Sequence, residues 1–242
     1  FDSESLRYLV EDLDMAAVKV PSGEAVNVPF LRDVARTGRP VYLSTGLCSL
    51  DEVSLGVETL RAVWQAAGHT PALTLLQCTT AYPTPLEETH LNSMKTLSET
   101  FSVPVGFSDH TSSSVIPAVA VGMGAVVIET HMTLDRNMDG PDHQASVEPS
   151  QFKEMIRNIR DVEKALGSPT KELRSVEAQN RQLVRRSLVA ITGIEKGQTI
   201  TGDMVIPLRP EDGIPARDID AVVGKAAWQD FESGEVLKWP AE

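Results

Sequence analysis

The first half of the chain alternates between short apolar runs and longer stretches with helical periodicity. Five runs read as buried strands, at residues 16–20, 41–43, 73–77, 103–107 and 125–129. They recur at roughly 20–30 residue intervals, the rhythm of strand–helix units. Residues 4–13 place Leu6, Leu9, Val10 and Leu13 on one helical face. The segment Ser49-Leu50-Asp51-Glu52 has the form of a capping box, and Val53, Val57, Leu60 and Trp64 follow at helical spacing. Ser150 is positioned to cap a helix over 152–166, with Met155, Ile156, Ile159 and Val162 inward and Gly167 as its stop. Strands and helices that alternate in this way predict a parallel sheet covered by helices.

Polar residues gather where the strands end: Lys19 and Ser22, Ser44, Thr79 and Thr80, Ser108 and His110, Glu129 and His131. Five converging strand ends suit a (β/α)8 barrel better than an open sheet. A whole barrel needs about 250 residues, and only five units are visible, so the prediction is a partial barrel. After Gly167 the texture changes. Residues 168–183 are polar and read as a linker, and 184–242 read as a small β-rich domain of short strands, turns and prolines. At that size independent stability is marginal, so the small domain is expected to lean on a partner surface.

Composition narrows the function classes. The chain of 242 residues is 41% hydrophobic and 23% charged, as in ordinary soluble proteins. The net charge of −12 argues against nucleic acid or an anionic membrane as partner. It leaves room for an anionic substrate, because a small cavity can be locally basic. No apolar run reaches the length of a spanning helix, and no charged segment followed by an apolar core opens the chain. The two cysteines, Cys48 and Cys78, each follow a predicted strand and form no disulfide framework, so a cytoplasmic location is expected. The chain opens at Phe1-Asp2-Ser3-Glu4, with no Met and directly in an amphipathic stretch, and reads as a protein entered in the middle.

The chemistry centres on His110 and His131, 21 positions apart, each at the carboxyl end of a predicted strand. In α/β proteins this is the face where sites are built. Spacing alone leaves two readings, a divalent-metal pair or one structural histidine and one accident. Lys19 lies between Ala16-Ala17-Val18 and Val20-Pro21, in a strand expected to be mostly buried. An unpaired ammonium there is costly, and a bound anion would explain it. Each strand-end serine, viewed singly, reads as a turn residue.

Three segments carry a family resemblance: Cys78-Thr79-Thr80-Ala81-Tyr82-Pro83, Gly106-Phe107-Ser108-Asp109-His110-Thr111 and Leu134 to His143, which contains Gly140-Pro141-Asp142-His143. They resemble the sialic acid synthase family. The tail, with Arg185-Arg186-Ser187 and Arg209-Pro210, resembles that family's small antifreeze-like (SAF) domain. The resemblance implies the last five or so units of a TIM barrel over 1–167, a linker over 168–183 and a SAF domain over 184–242. Three earlier units and a glutamate-containing motif near the family's first strand have no counterpart here. By that comparison the chain is N-terminally truncated, and on its own it is expected to aggregate or be inactive.

The resemblance also implies an activity and its residues. Family members condense phosphoenolpyruvate with an N-acetylated amino sugar to give a nine-carbon 2-keto acid and phosphate. His110 and His131 match the ligands of a divalent metal, manganese first, with magnesium or cobalt as substitutes. Lys19, Ser22, Ser44, Thr80 and Ser108 match positions that hold phosphoenolpyruvate. Thr80 departs from the family's usual Asn or Ser. Glu24, Tyr82 and Asp142 match positions facing the sugar, with Glu24 and Asp142 in catalytic roles. Arg209 matches an arginine that reaches the neighbouring subunit's site, which implies a domain-swapped homodimer. The Asp142–Ser146 stretch looks more like neuraminate and legionaminate synthases than pseudaminate ones, and leaves N-acetylmannosamine and a 2,4-diacetamido sugar undivided. Rival readings are another phosphoenolpyruvate-dependent 3-deoxy-keto-acid phosphate synthase, or a non-catalytic carbohydrate-binding fragment.

Overall fold

In the computed structural model, which describes residues 1–240, each apolar run contributes one strand. These are β1 (Val18–Val20), β2 (Val41–Ser44), β3 (Leu73–Cys78), β4 (Val105–Asp109) and β5 (Ile128–Thr130). All pairings are parallel and the order is β1-β2-β3-β4-β5, a half-barrel sheet. The two outermost runs are shorter than the sequence predicts: 16–17 and 125–127 stay outside the strands.

Side chains alternate across a strand, so register decides what each face carries. Val20, Leu43, Leu75 and Val105 are register partners in turn, and all are buried. They form one core with Leu31 and Val34 of α2 (Val28–Arg36), with Val53, Val57, Leu60 and Trp64 of α3 (Leu50–Ala67), and with Met94, Leu97 and Phe101 of α4 (Ser93–Phe101). The opposite parity carries Lys19 beside Tyr42, Ser44 beside Leu76, and Cys78, Ser108 and Glu129 at one level. That inner face is the polar one.

The sheet curls strongly. Strands spaced about 4.8 Å apart would hold β1 and β5 roughly 19 Å from each other if the sheet were flat. Instead the Lys19 ammonium of β1 lies 3.4 Å from the Glu129 carboxylate of β5.

Helix boundaries follow the capping chemistry. Ser49 and Glu52 form the expected reciprocal box at the start of α3, and Gly68 ends it in the left-handed conformation at φ 69°. The later helix α6 (Pro149–Leu166) is capped by Glu148 with Gln151, not by Ser150, which lies in its first turn. Pro149 explains the shift, since proline without an N–H is favoured at the first helical position. Met155 and Ile159 of α6 are buried against Ala118 of α5 (Ile116–Gly122), while Ile156 is 38% exposed.

The amphipathic reading of residues 4–13 needs correction. Only α1 (Ser3–Arg7) is α-helical, and a π-turn over Tyr8–Asp12 follows. The wider turn changes the angular phase of the side chains. Leu6 is buried, while Leu9 and Leu13 are 41% and 51% exposed.

Phe1–Gly167 forms one compact unit and the remainder a second. Within the second, Ser175–Val184 is a helix, α7, none of whose residues is buried. Strands β6 (Ser187–Ala190) and β7 (Val205–Leu208) pair antiparallel. Residues 196–200 form a turn with one bridge, Thr199 to Ala226. The core comprises Leu188, Ile194, Ile200, Ile214, Val222 and Leu237. The fully buried Ser187 hydroxyl accepts from the N–H groups of Asp212 and Gly213 and donates to the Pro210 carbonyl, each at 2.9 Å. One side chain thereby fixes the loop that follows Arg209. Among the described residues no helix is long and apolar enough to cross a membrane.

Candidate active site

The carboxyl ends of all five parallel strands surround one cavity of about 320 Å³. Its lining includes Lys19, Ser22, Ser44, Thr80, Tyr82, Ser108, His110 and His131, together with Cys78 and Glu129. Strand parity accounts for much of this. Lys19, Ser44, Cys78, Ser108 and Glu129 all occupy inner-face positions, and His110 and His131 continue that parity just beyond β4 and β5.

Three loops converge tightly on the side of the cavity nearest β1. The Gly46 N–H donates to Ser22 Oγ at 3.0 Å. A Cβ on Gly46 would lie 2.5 Å from Thr80 Oγ1 and 2.8 Å from Ser22 Oγ. Glycine is required there because the loops after β1, β2 and β3 approach closer than a side chain permits. Ser44 Oγ is buried with no hydrogen-bond partner among the described residues, a polar atom that gains from a ligand.

The expectation of an unpaired Lys19 needs correction. Its ammonium donates to the Val20 carbonyl at 3.1 Å and faces Glu129 Oε1 at 3.4 Å. The other Glu129 oxygen accepts from Ser108 Oγ at 2.6 Å. Glu129 thus supplies the anion that burial of Lys19 calls for.

The histidine rings lie 5.2 Å apart between centroids, edge to face, and Tyr82 packs on both, at 4.2 Å from His110 and 5.5 Å from His131. His110 Nδ1 is 2.9 Å from the Thr79 carbonyl oxygen. A carbonyl has no proton to give, so Nδ1 carries the hydrogen and Nε2 keeps its lone pair. An orienting carbonyl behind an imidazole is the usual support of a metal ligand. The donor chemistry of His110 and His131 therefore fits a divalent ion. Among the described residues no third His, Cys, Asp or Glu joins them in a metal-sized cluster. His131 Nδ1 is 3.9 Å from Asp142, and both line a second hollow with His143.

Several groups here titrate away from their ordinary values. Burial pushes the Cys78 thiol up, but hydrogen bonds from His110 and Ser22 outweigh it and hold the thiol low. Burial pushes His110 down, while its bonds to Cys78 and to the Thr79 carbonyl raise it on balance. Burial, with the negative charges of Cys78, Asp142 and Glu129, raises Tyr82.

The remaining candidates lie elsewhere. Glu24 is not part of the cavity lining, and its carboxylate accepts from Asn27 Nδ2 at 2.6 Å. Arg209 is exposed in the second unit. His90 is exposed beside Glu88, and His69 lies at the end of α3 beside Trp64. Glu129 and Cys78 went unassigned in the sequence reading. Inner-face parity was the signal for both, since each shares a register level with Ser108.

The half-barrel gathers Lys19, three serines and two histidines at its five strand ends, an arrangement whose family the sequence itself identifies. The NeuB family model matches residues 1–171 and the SAF domain model matches 185–241. The chain belongs to the NeuB family and carries a SAF domain at its carboxyl end. It is 39% identical over 239 residues to an N,N'-diacetyllegionaminic acid synthase of Legionella pneumophila, covering 99% of this chain and 67% of that protein. It is 36% identical to the N-acetylneuraminate-9-phosphate synthase of Homo sapiens, covering 98% of this chain and 64% of that one. A solved N-acetylneuraminic acid synthetase of Leptospira borgpetersenii, in complex with citrate, superimposes with a TM-score of 0.67 at 28% identity, covering 74% of this chain and 61% of that one.

Proposed function

We propose that the protein is a nonulosonic acid synthase, joining the three carbons of phosphoenolpyruvate to a six-carbon N-acetylated amino sugar. Water completes the reaction, and the products are a nine-carbon 2-keto acid and inorganic phosphate. The observation that carries this reading is the convergence of Lys19, Ser22, Ser44 and Ser108 with the histidine pair around one cavity. A dianionic phosphate needs a cation and several short donors, and strand-end lysine and serine supply both.

Lys19 and the serines hold the donor molecule, a positioning contribution that brings its enol carbon against the sugar's carbonyl carbon. His110 and His131 would hold a divalent ion, manganese first, whose chemistry there is Lewis-acid polarisation of the sugar's carbonyl oxygen. Tyr82, packed against both rings, is by family likeness a residue that faces the sugar. Asp142, beside His131, is placed to bind sugar hydroxyls and to pass a proton. Glu24 has the same assignment by family likeness, from a position bonded to Asn27. Arg209 would act from the SAF domain of a partner subunit in a homodimer, in a cytoplasmic protein.

Phosphate release measured with N-acetylmannosamine and with a 2,4-diacetamido-trideoxy sugar tests the reading. Turnover with either is expected, and the better substrate identifies the acceptor. Turnover confined to a phosphorylated sugar without an acetamido group would overturn it in favour of a 3-deoxy-keto-acid phosphate synthase. His131→Ala is expected to lower metal-dependent turnover by about a thousandfold, the upper range for loss of a transition-state electrostatic partner. Full activity of that variant without added metal would remove the metal assignment.

A further inference from the structure

Glu129 is an odd residue for an anion-binding cavity. It sets a carboxylate between the two side chains best suited to receive a phosphate. Ser108 has one hydroxyl proton, and that proton is committed to Glu129 at 2.6 Å. While the bond stands, Ser108 presents only lone pairs to the cavity, the wrong sign for a phosphate oxygen. Lys19 and Glu129 are 3.4 Å apart, beyond the 2.7–2.9 Å of a charge-assisted hydrogen bond. The carboxylate is thus anchored firmly on one side and loosely on the other. Both side chains are about one third exposed, so the carboxylate has room to turn away.

We propose that Glu129 is a specificity-determining residue, a resident counter-anion that occupies Lys19 and Ser108 until a dianionic phosphate displaces it. The proposal rests on reading the cavity as a phosphoenolpyruvate site. A ligand carrying one negative charge offers Lys19 no more than the carboxylate already supplies, and it faces repulsion from that carboxylate as well. A phosphate dianion offers twice the charge and several acceptor oxygens. It takes the Ser108 proton and the Lys19 ammonium together, and Glu129 turns toward solvent. The device therefore favours phosphoenolpyruvate over its dephosphorylated three-carbon counterpart, pyruvate.

Calorimetric titration of the protein with phosphoenolpyruvate and with pyruvate tests this. Glu129→Gln keeps the shape and removes the charge. It is expected to bind phosphoenolpyruvate about tenfold more tightly, the scale of one partly screened charge contact. Its gain for pyruvate is expected to be larger, so that the preference between the two narrows. Glu129→Ala, which also removes the acceptor, is expected to shift both affinities in the same direction, and circular dichroism checks that both variants are folded. Equal or weaker phosphoenolpyruvate binding by folded Glu129→Gln, or an unchanged preference, would overturn the proposal. Absence of phosphoenolpyruvate binding by the wild type and both variants would instead overturn the reading of the cavity, and this proposal with it.

Discussion

The two faces of the half-barrel sheet are built from the same five strands, residue by residue in alternation, yet they obey different rules. The outer face is mostly apolar, closed by helices and held by packing. Val20, Leu43, Leu75 and Val105 lie against α2, α3 and α4 with almost no surface left. The inner face carries Lys19, Ser44, Cys78, Ser108 and Glu129, and one of its buried hydroxyls has no partner among the described residues. A single step along a strand moves a side chain from one regime to the other. Stability is therefore concentrated on one side of each strand and recognition on the other.

If that division is sound, neighbouring substitutions should separate the two properties. The largest effect is expected from Leu43→Ala on the outer face, which should destabilise folding by about 2–5 kcal/mol through the cavity it leaves. Urea titration measures this, and the folded fraction should retain its ligand affinity. Lys19→Met on the inner face should reverse the pattern. Phosphoenolpyruvate affinity should fall by about 10- to 100-fold, the worth of one charged hydrogen bond. The urea midpoint should barely move, because ion pairs open to solvent contribute little. Ser44→Ala should weaken binding a few-fold and leave stability unchanged or slightly improved, since it removes a buried hydroxyl without a partner. Loss of stability in Lys19→Met comparable to that in Leu43→Ala would break the comparison.

The smallest effect sharpens it from the other direction. Asp109 continues the outer-face parity of β4 and is buried, with one carboxylate oxygen bonded to the Thr111 N–H and the other unpartnered among the described residues. Burial raises its carboxyl above the ordinary 3.8. A raised carboxyl binds its proton more tightly in the folded state than in the unfolded one. The group therefore costs nothing below the unfolded value, and its penalty grows as pH rises through the window up to the folded value. The penalty is therefore larger at neutral pH than in acid. Asp109→Asn should raise the melting temperature at pH 7 by a few degrees and leave it unchanged near pH 3. A fall in melting temperature at pH 7 would mean that the charge itself is used.

Much of the fold was legible because it is local. The capping box at Ser49, the helical spacing of Val53 to Trp64 and the wholly buried run of β3 depend on neighbours in sequence. The start of α6 was misplaced by three residues, and its cap by two, because Ser150 outweighed Pro149, although proline is the stronger sign of a first turn. Leu9 and Leu13 fit a helix period that the π-turn breaks, and nothing in residue spacing announces such a turn. At the site, strand-end positions singled out Lys19, Ser44, Ser108, His110 and His131, all of which line the cavity. Glu129 was visible at a strand end, but its link to Lys19 joins the first strand to the last. Only the curl of the sheet brings residues 110 positions apart into contact.

That curl gives the Lys19–Glu129 pair a second meaning. If the five strands are the limbs of a bow, the ion pair is its string, drawn across the opening from β1 to β5. Any flattening of the arc must lengthen the string, and any tightening must slacken it. While that pair stands, the distance between its ammonium and its carboxylate serves as a gauge of curvature for the whole sheet. A pair of reporters on β1 and β5 would read the bend of the half-barrel directly, whether or not the cavity is filled.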